Sequence, residues 1–397
     1  MPVPNLPLRV LSVFGTRPEA IKMAPVVRAL ESQSQHFKSL ICVTGQHREM
    51  LDQIMSVFKL SADFDLDVMR AGQTPAEVMS RILAAMPGIL NQAKPDLILV
   101  QGDTTTTAAV ALAAFLQRIP VGHVEAGLRT DDISQPFPEE MNRRVASLVT
   151  TLHFAPTMRA QNALLQERVP SERVIVTGNT VIDALLQARR PDYRFVNSSL
   201  ATLDVTRRVV LVTLHRRESF GAPMLSVCRA LNRVAQGHPD LIFVLPVHRN
   251  PSVREVVVPA LQGCPNFMLI DPLDYLDFIH VMARSRVIVT DSGGVQEEAP
   301  TLNVPVLVAR EVTERPEGVE VGAARLVGTD ENRIVQMLEE LLTDEVAYRK
   351  MAAAPNPYGD GRASERIVGA ILKWAKIGAA NLAAAAPPPE LSATLSR

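Results

Sequence analysis

Along the chain, short runs of Val, Ile, Leu and Phe alternate with longer stretches in which apolar residues recur every three or four positions. The first pattern is that of a buried parallel strand, the second that of a helix with one apolar face. Leu8 to Phe14 predicts a strand, closed by Gly15-Thr16-Arg17-Pro18-Glu19, with Pro18 suited to the first helical position. Ile21, Ala24, Val27 and Leu30 give the following helix its apolar face, and Pro25 predicts a kink in it. Ser39 to Val43 predicts a second strand, followed by Thr44-Gly45-Gln46-His47. Next come a helix around Met50 to Phe58, a polar loop containing Gln73, and a long helix from about Ala76 to Gln92 with a kink at Pro87. Asp96 to Val100 and Pro120 to Val124 predict two more strands, ending at Gln101-Gly102-Asp103 and Glu125-Ala126-Gly127. Between them, Thr104 to Thr107 open an apolar helix that continues to Leu116.

The second half repeats the plan, with strands at Val209–Thr213, Leu241–Leu245, Met268–Ile270, Val287–Thr290 and Val304–Val308. Such alternation builds parallel, doubly wound sheets. The expected fold class is therefore α/β, with two Rossmann-like domains facing a central cleft. The first domain is expected over 1–178 and the second over 179–365, with a helix at 366–380 packing back on the first. The Ala- and Pro-rich stretch 381–397 lacks patterning and is expected to be disordered.

This layout gives the polar residues meaning. Arg17, Gln46, Asp103 and Glu125 follow the carboxyl ends of strands in the first domain, and His215, His248 and Asp291 do so in the second. Open α/β sheets bind ligands outside those ends. Two facing domains would bring both sets to one cleft.

Composition narrows the classes. A chain of 397 residues with net charge −1 and no basic stripe gives no reason to expect nucleic acid as a partner. Cys42, Cys228 and Cys264 are odd in number and lack metal spacing, which fits a reducing compartment without disulfides or structural zinc. There is no secretory signal at the start, and no apolar run reaches the roughly 18 residues of a spanning helix. A soluble, cytoplasmic protein without a membrane partner is expected.

The stretch from Arg286 to Pro300 carries the most specific local chemistry. A strand, the turn Asp291-Ser292-Gly293-Gly294 and a helix start form an arrangement in which backbone N–H groups can meet a phosphate. Glu298 follows one turn later, where a carboxylate can accept from ribose hydroxyls. The plainer alternative is a tight connection with Ser292 as N-cap. Arg17 and Lys22 put two cations at a helix start, suited to a diphosphate; the alternative is a solvated turn with an Arg17–Glu19 or Arg17–Glu49 pair. Asp103 could be a helix N-cap. Glu125 could be paired with Arg129. Glu140 reads as structural and Glu139 as functional, although carboxylates favour a helix start in any case. His215 stands beside Arg216 and Arg217, and Arg315 lies in a loop after a strand. No Gly-x-Gly-x-x-Gly, P-loop or Gly-x-Ser-x-Gly motif occurs, which argues against a bound nicotinamide cofactor, a P-loop and a nucleophile elbow.

Several stretches together resemble one family. They are Phe14-Gly-Thr-Arg-Pro-Glu-Ala-Ile-Lys-Met-Ala-Pro25, Gln46-His-Arg-Glu-Met-Leu-Asp-Gln53, Gly102-Asp-Thr-Thr-Thr-Thr107, Gly122-His-Val-Glu-Ala-Gly-Leu-Arg-Thr130, Thr177-Gly-Asn-Thr-Val-Ile-Asp183, His215-Arg-Arg-Glu-Ser-Phe-Gly221, Thr290-Asp-Ser-Gly-Gly-Val-Gln-Glu-Glu-Ala-Pro300 and Thr313-Glu-Arg-Pro-Glu317. Over about residues 8 to 375 the chain resembles the bacterial non-hydrolysing UDP-N-acetylglucosamine 2-epimerases. The resemblance implies a GT-B type fold, no NAD or metal, and a homodimer. It implies Arg17, Lys22, Asp103, Glu125, His215, Phe278, Ser292, Gly293, Gly294, Glu298 and Arg315 around UDP-sugar substrate. Asp103, Glu125, Glu139 and His215 would surround the reacting bond. Gln46, His47, Gln73, Arg216 and His248 match positions holding a second, activating UDP-N-acetylglucosamine. Two departures stand out: Leu273 replaces a glutamine found after Asp-Pro in some members, and Leu214 replaces a small residue, with a narrower cleft expected. A hydrolysing epimerase, a GT-B glycosyltransferase and a non-catalytic nucleotide-sugar sensor are the competing expectations.

Overall fold

The structure, a computed structural model, describes residues 7–45, 48–70, 72–130, 132–204 and 206–385. They form two compact units. Unit 1 takes the described parts of Met1–Thr177 and Arg362–Arg397, and unit 2 takes those of Gly178–Gly361.

Seven strands make the sheet of unit 1: β1 (Leu8–Phe14), β2 (Phe37–Val43), β3 (Phe64–Asp65), β4 (Leu97–Gln101), β5 (Val121–Val124), β6 (Leu152–Ala155) and β7 (Val174–Val176). They lie in the order β3-β2-β1-β4-β5-β6-β7, and every pair is parallel. Parallel neighbours require crossovers, and the reversal of order between β1 and β4 winds the helices onto both faces. Strands covered on both faces must be apolar throughout, which is why β1 reads as a run rather than an alternation. Leu11, Val13, Ile98 and Val100 pack with Val78, Ile82, Met86 and Leu90, which recur every fourth position along the helix Pro75–Ala93. Each such buried side chain contributes about 1.5–3 kcal/mol.

Unit 2 has six strands: β8 (Arg208–Thr213), β9 (Leu241–Pro246), β10 (Phe267–Ile270), β11 (Ser285–Thr290), β12 (Val306–Val308) and β13 (Ala324–Leu326). Their order is β10-β9-β8-β11-β12-β13, again parallel throughout, with the reversal between β8 and β11. Val210, Val212, Phe243, Leu245, Val287 and Val289 form its core with Met224, Val227 and Leu231 of the helix Ala222–Gly237 and with Ile334 and Leu338 of the helix Glu331–Thr343.

The structure departs from the sequence reading at identifiable places. Strands β3, β6, β7 and β13 were not expected; at two to four residues each, they are too short for a period to register. The expected strand Val304–Val308 shortens to β12, because Pro305 has no N–H to give a ladder. The helices Arg17–Glu31 and Pro75–Ala93 continue through Pro25 and Pro87. The last helix, Ala363–Ala385, packs on the helix Arg17–Glu31. It takes in 381–385, expected to belong to the disordered tail: an alanine-rich run is the best helix former, and the first proline comes only at Pro387. Residues 386–397 lie outside the described residues. Among the described residues no helix is long and apolar enough to cross a membrane, and no three of His, Cys, Asp or Glu cluster as metal ligands would.

Candidate active site

In unit 1 the chemistry gathers where β1, β4 and β5 end. Thr16 caps the helix Arg17–Glu31 and forms a capping box with Glu19. The Glu19 carboxylate accepts from the N–H groups of Gly15 and Thr16 at 3.0 and 2.7 Å, and from Thr104 Oγ1 at 2.6 Å. Glu19 thus ties the turn after β1 to the turn after β4, across the point where strand order reverses. Burial pushes its carboxyl above the ordinary 4.5, against the pull of the donors from Thr104, Thr16 and Gly15. This excludes the Arg17–Glu19 turn pair as the role of Glu19. Arg17 itself is half-buried at the first helical position, and the side chain of Glu49 is outside the described residues.

Asp103 follows β4 after Gly102, whose φ of +71° suits glycine. Thr104, not Asp103, caps the helix Thr105–Leu116. Instead, Asp103 Oδ2 accepts two bonds from Arg143, from Nε at 3.0 Å and Nη2 at 2.8 Å. Arg143 also donates to Glu140 at 3.0 Å, and Glu140, fully buried, accepts from Arg144 at 2.9 Å. Burial opposes the charge on Arg143, but Asp103 and Glu140 outweigh it and raise the group above its ordinary value.

Glu125 follows β5 with φ +64°, a left-handed conformation that costs a non-glycine residue energy and so marks a constrained position. Its carboxylate accepts from Lys22 Nζ at 2.6 and 2.7 Å and from Gln101 Nε2. The expected Arg129 partner is corrected: Arg129 forks onto Glu167 at 2.8 Å through each of two nitrogens. Sequence proximity suggested Arg129, but it leaves the strand end in the direction of the helix Met158–Gln166, where Gly127 packs so closely that a Cβ would meet Ala160 O at 2.3 Å.

Glu139 opens the helix Glu139–Val149 half-buried, and it pairs with no other described residue. Asp103 and Glu139 line a cavity of about 510 Å³ together with Thr16, Thr104, Asn142 and Gln73. Gln73 is already engaged: its oxygen accepts from Arg81 at 2.8 Å and from the Arg70 N–H at 3.1 Å. Gln46 and His47 lie outside the described residues.

In unit 2 the corresponding edge is where β8, β9 and β11 end. Asp291, fully buried, accepts from the N–H groups of His215 and Arg216 at 2.7 and 2.9 Å, and its other oxygen stands 2.9 Å from His215 Nδ1. That approach is at ion-pair distance without hydrogen-bond geometry, and Oδ1 has no hydrogen-bond partner among the described residues. Burial pushes Asp291 up, but the bonds from His215 and Arg216 prevail and hold it below its ordinary value. The His248 ring stacks on that of His215, 5.8 Å between centroids. Burial, and then the neighbouring His215, lower the His248 pKa.

Ser292, Gly293 and Gly294 follow Asp291 into the short helix Gly293–Glu298. Ser292 occupies the N-cap position but makes no side-chain cap bond, contrary to the plainer expectation; its own N–H donates to Thr290 Oγ1 at 2.9 Å. Arg216 reaches over the turn, its Nη2 3.7 Å from where a Gly293 Cβ would stand. Gln296, Glu297 and Glu298 are consecutive, polar and buried, because this helix is covered on every side. Gln296 accepts from Thr313 at 2.7 Å, and Glu297 holds Arg315 Nε. Phe278 is half-buried on the helix Tyr275–Arg284. Leu214 and Leu273 are both buried, and Leu214 packs in the core of unit 2.

Sequence reasoning missed Gln101, Arg143, Glu297 and the Arg310–Glu218 pair, 2.8 Å apart. Two had a local signal: Gln101 ends an otherwise apolar strand, and Glu140 and Arg143 are spaced for a helical ion pair.

Comparison with known proteins adds to this geometry. A family model described as UDP-N-acetylglucosamine 2-epimerase matches residues 28–372. A UDP-N-acetylglucosamine 2-epimerase of Yersinia pestis is 53% identical over 370 residues, covering 92% of this chain and 98% of the relative. A crystal structure of UDP-GlcNAc 2-epimerase from Neisseria meningitidis bound to UDP-GlcNAc aligns with TM-score 0.85 and 46% identity over 92% of this chain and 99% of that one. An S. aureus protein in a co-structure with UDP gives 0.84 and 44%, over 93% and 97%. The likeness spans both doubly wound units, whose fold is that of these GT-B-like enzymes. With a match that runs from the end of the helix Arg17–Glu31 into the last helix, and relatives covered over nearly their whole length, this chain belongs to the UDP-N-acetylglucosamine 2-epimerase family.

Proposed function

We propose that the chain reversibly interconverts UDP-N-acetylglucosamine and UDP-N-acetylmannosamine without hydrolysis, supplying precursor for cell-surface polysaccharide. The observation that carries the reading is the set of carboxylates in unit 1, each in a different setting. Asp103 is clamped by Arg143, Glu125 is held by Lys22 and Gln101, and Glu139 opens on the cavity beside Asp103. A protein that only senses a nucleotide sugar has no need of such a set. Relatives whose structures hold UDP-GlcNAc or UDP support the substrate.

The C2 hydrogen of the sugar is not acidic while C1 carries UDP as an ordinary substituent. As the C1–O bond breaks, its electron pair leaves with UDP and C1 becomes electron-poor, so a carboxylate can take the C2 proton. The product is a 2-acetamidoglucal with a C1–C2 double bond. A second carboxylate then protonates C2 on the opposite face while the UDP oxygen returns to C1. Asp103, Glu125 and Glu139 are the acid and base groups of this proposal, a role typically worth 10²–10⁴-fold. His215, whose backbone N–H is held by Asp291, serves the leaving oxygen. Arg17, Lys22, Phe278, Ser292, Gly293, Gly294, Glu298 and Arg315 hold UDP, with cations stabilising the departing diphosphate. By the same resemblance the enzyme works as a cytoplasmic homodimer without NAD or metal.

Incubating the pure protein with UDP-N-acetylglucosamine in D₂O and following it by NMR tests this. The expected product is UDP-N-acetylmannosamine carrying deuterium at C2. Accumulation of free N-acetylmannosamine with UDP identifies the hydrolysing alternative, and no reaction without an added acceptor points to a glycosyltransferase.

A further inference from the structure

The donors on Glu125 include Lys22 and Gln101, which differ in character. Lys22 reaches it from the helix Arg17–Glu31 on a flexible four-carbon stem, with 14% of its side chain exposed. Gln101 comes from inside the sheet. It is the last residue of β4, only 3% exposed, and paired in register with Val124, the residue before Glu125. Its carbonyl oxygen accepts from Thr107 Oγ1 at 2.6 Å, and the next residue's N–H donates to Val124 O at 2.9 Å. The buried His123 donates from Nε2 to Gly102 O at 2.7 Å, closing the strand ends from below. The Gln101 amide therefore has a fixed origin, and its Nε2 donates to Glu125 Oε2.

We propose that Gln101 is a positioning residue for the proton transfer, keeping the Glu125 carboxylate aimed while Lys22 engages the substrate's diphosphate. This rests on the epimerase reading. One ammonium cannot serve a carboxylate and a diphosphate equally, and the arriving anion competes for it. Gln101 is neutral, so the diphosphate does not draw it away, and its backbone is locked on both sides. The last torsion of a glutamate is broad, and a single well-placed donor narrows it. Misplacing a reacting group by about an ångström costs on the order of 10²-fold.

Two variants test the role. Gln101→Leu keeps similar bulk and removes the donor. Gln101→Glu keeps the shape but can donate only when its new carboxyl is protonated. Expected is a loss of kcat on the order of 10²-fold in Gln101→Leu, with KM and UDP affinity changed by less than about threefold. Gln101→Glu is expected to lose as much at alkaline pH and to recover kcat as the pH is lowered, while Gln101→Leu does not recover. Unchanged kcat in Gln101→Leu overturns the proposal, as does a loss shared equally by kcat and UDP affinity. A crystal structure of Gln101→Leu with UDP bound, the state in which the diphosphate draws on Lys22, supplies a readout that needs no activity: a reoriented Glu125 carboxylate supports the role, and an unmoved one refutes it. Failure of the wild-type protein to epimerise overturns the functional reading instead, and is scored separately.

Discussion

Replacing Arg143 by methionine should destabilise unit 1 and do so in a way that a second substitution repairs. Arg143 makes three side-chain bonds, two to Asp103 at 3.0 and 2.8 Å and one to Glu140 at 3.0 Å. Methionine keeps much of the stem's packing and removes all three. The two carboxylates fare differently. Asp103 retains 28% side-chain exposure and can rehydrate in part, whereas Glu140 has none. Glu140 does keep Arg144 at 2.9 Å and the Thr130 N–H at 3.1 Å. Breaking a buried pair on one side costs about 3–5 kcal/mol, and the remaining donors put this case near about 3. For a unit of this size that corresponds to a fall in Tm of ~6–12 °C. Adding Glu140→Gln removes the stranded charge, so the double variant should recover at least about 1 kcal/mol of the sum of the singles. Thermal unfolding followed by circular dichroism, with calorimetry to separate transitions, measures it. A loss below about 1 kcal/mol for Arg143→Met, or strict additivity in the double variant, would refute the argument that Glu140 and Asp103 depend on this guanidinium.

Acid should weaken unit 1 through two buried histidines, His123 and His153, paired across β5 and β6. Burial pulls His123 from the ordinary 6.5 to about 4 and His153 to about 3, so both stay neutral in the fold while the unfolded chain takes up protons below about 6.5. Their contribution is intact above that pH and is lost as pH falls toward the folded values, on the order of 2 kcal/mol each between neutral pH and about 5. Urea melts across that window should show a shallower loss for His153→Gln than for wild type, and parallel curves would contradict the assignment. Asp103→Asn and Glu125→Gln should each lower kcat by about 10²–10⁴-fold with modest change in UDP affinity, checked by steady-state kinetics and calorimetry. Near-normal turnover in both would remove them from the acid–base set. Gln46, His47, Gln73, Arg216 and His248 are expected to serve a second UDP-N-acetylglucosamine, so purified UDP-N-acetylmannosamine should react with a lag that a trace of UDP-N-acetylglucosamine abolishes. Immediate full-rate conversion, unchanged in Gln46→Ala, excludes that activator site.

The alternation of apolar runs with helical spacing was enough to call for two parallel sheets, because strands covered on both faces must be apolar and each parallel step needs a helix between. The same rule located Asp103, Glu125, His215 and Asp291, since a polar residue right after a buried run can only stand at the strand's carboxyl end. What the local pattern could not hold is partnership. From sequence, the near neighbour Arg129 is the candidate partner of Glu125, yet Lys22, 103 residues away, and Gln101, 24 away, donate to it. They meet because β4 lies between β1 and β5, an order set by crossovers rather than by any segment's composition. Likewise Arg143 finds Asp103 across 40 residues, because the helix Glu139–Val149 packs against the helix that follows β4. Burial faces and breaks are written locally, every few residues. Which charge neutralises which is decided only when non-local pairing has put the strand ends side by side, and there desolvation makes each unpaired choice too costly to keep.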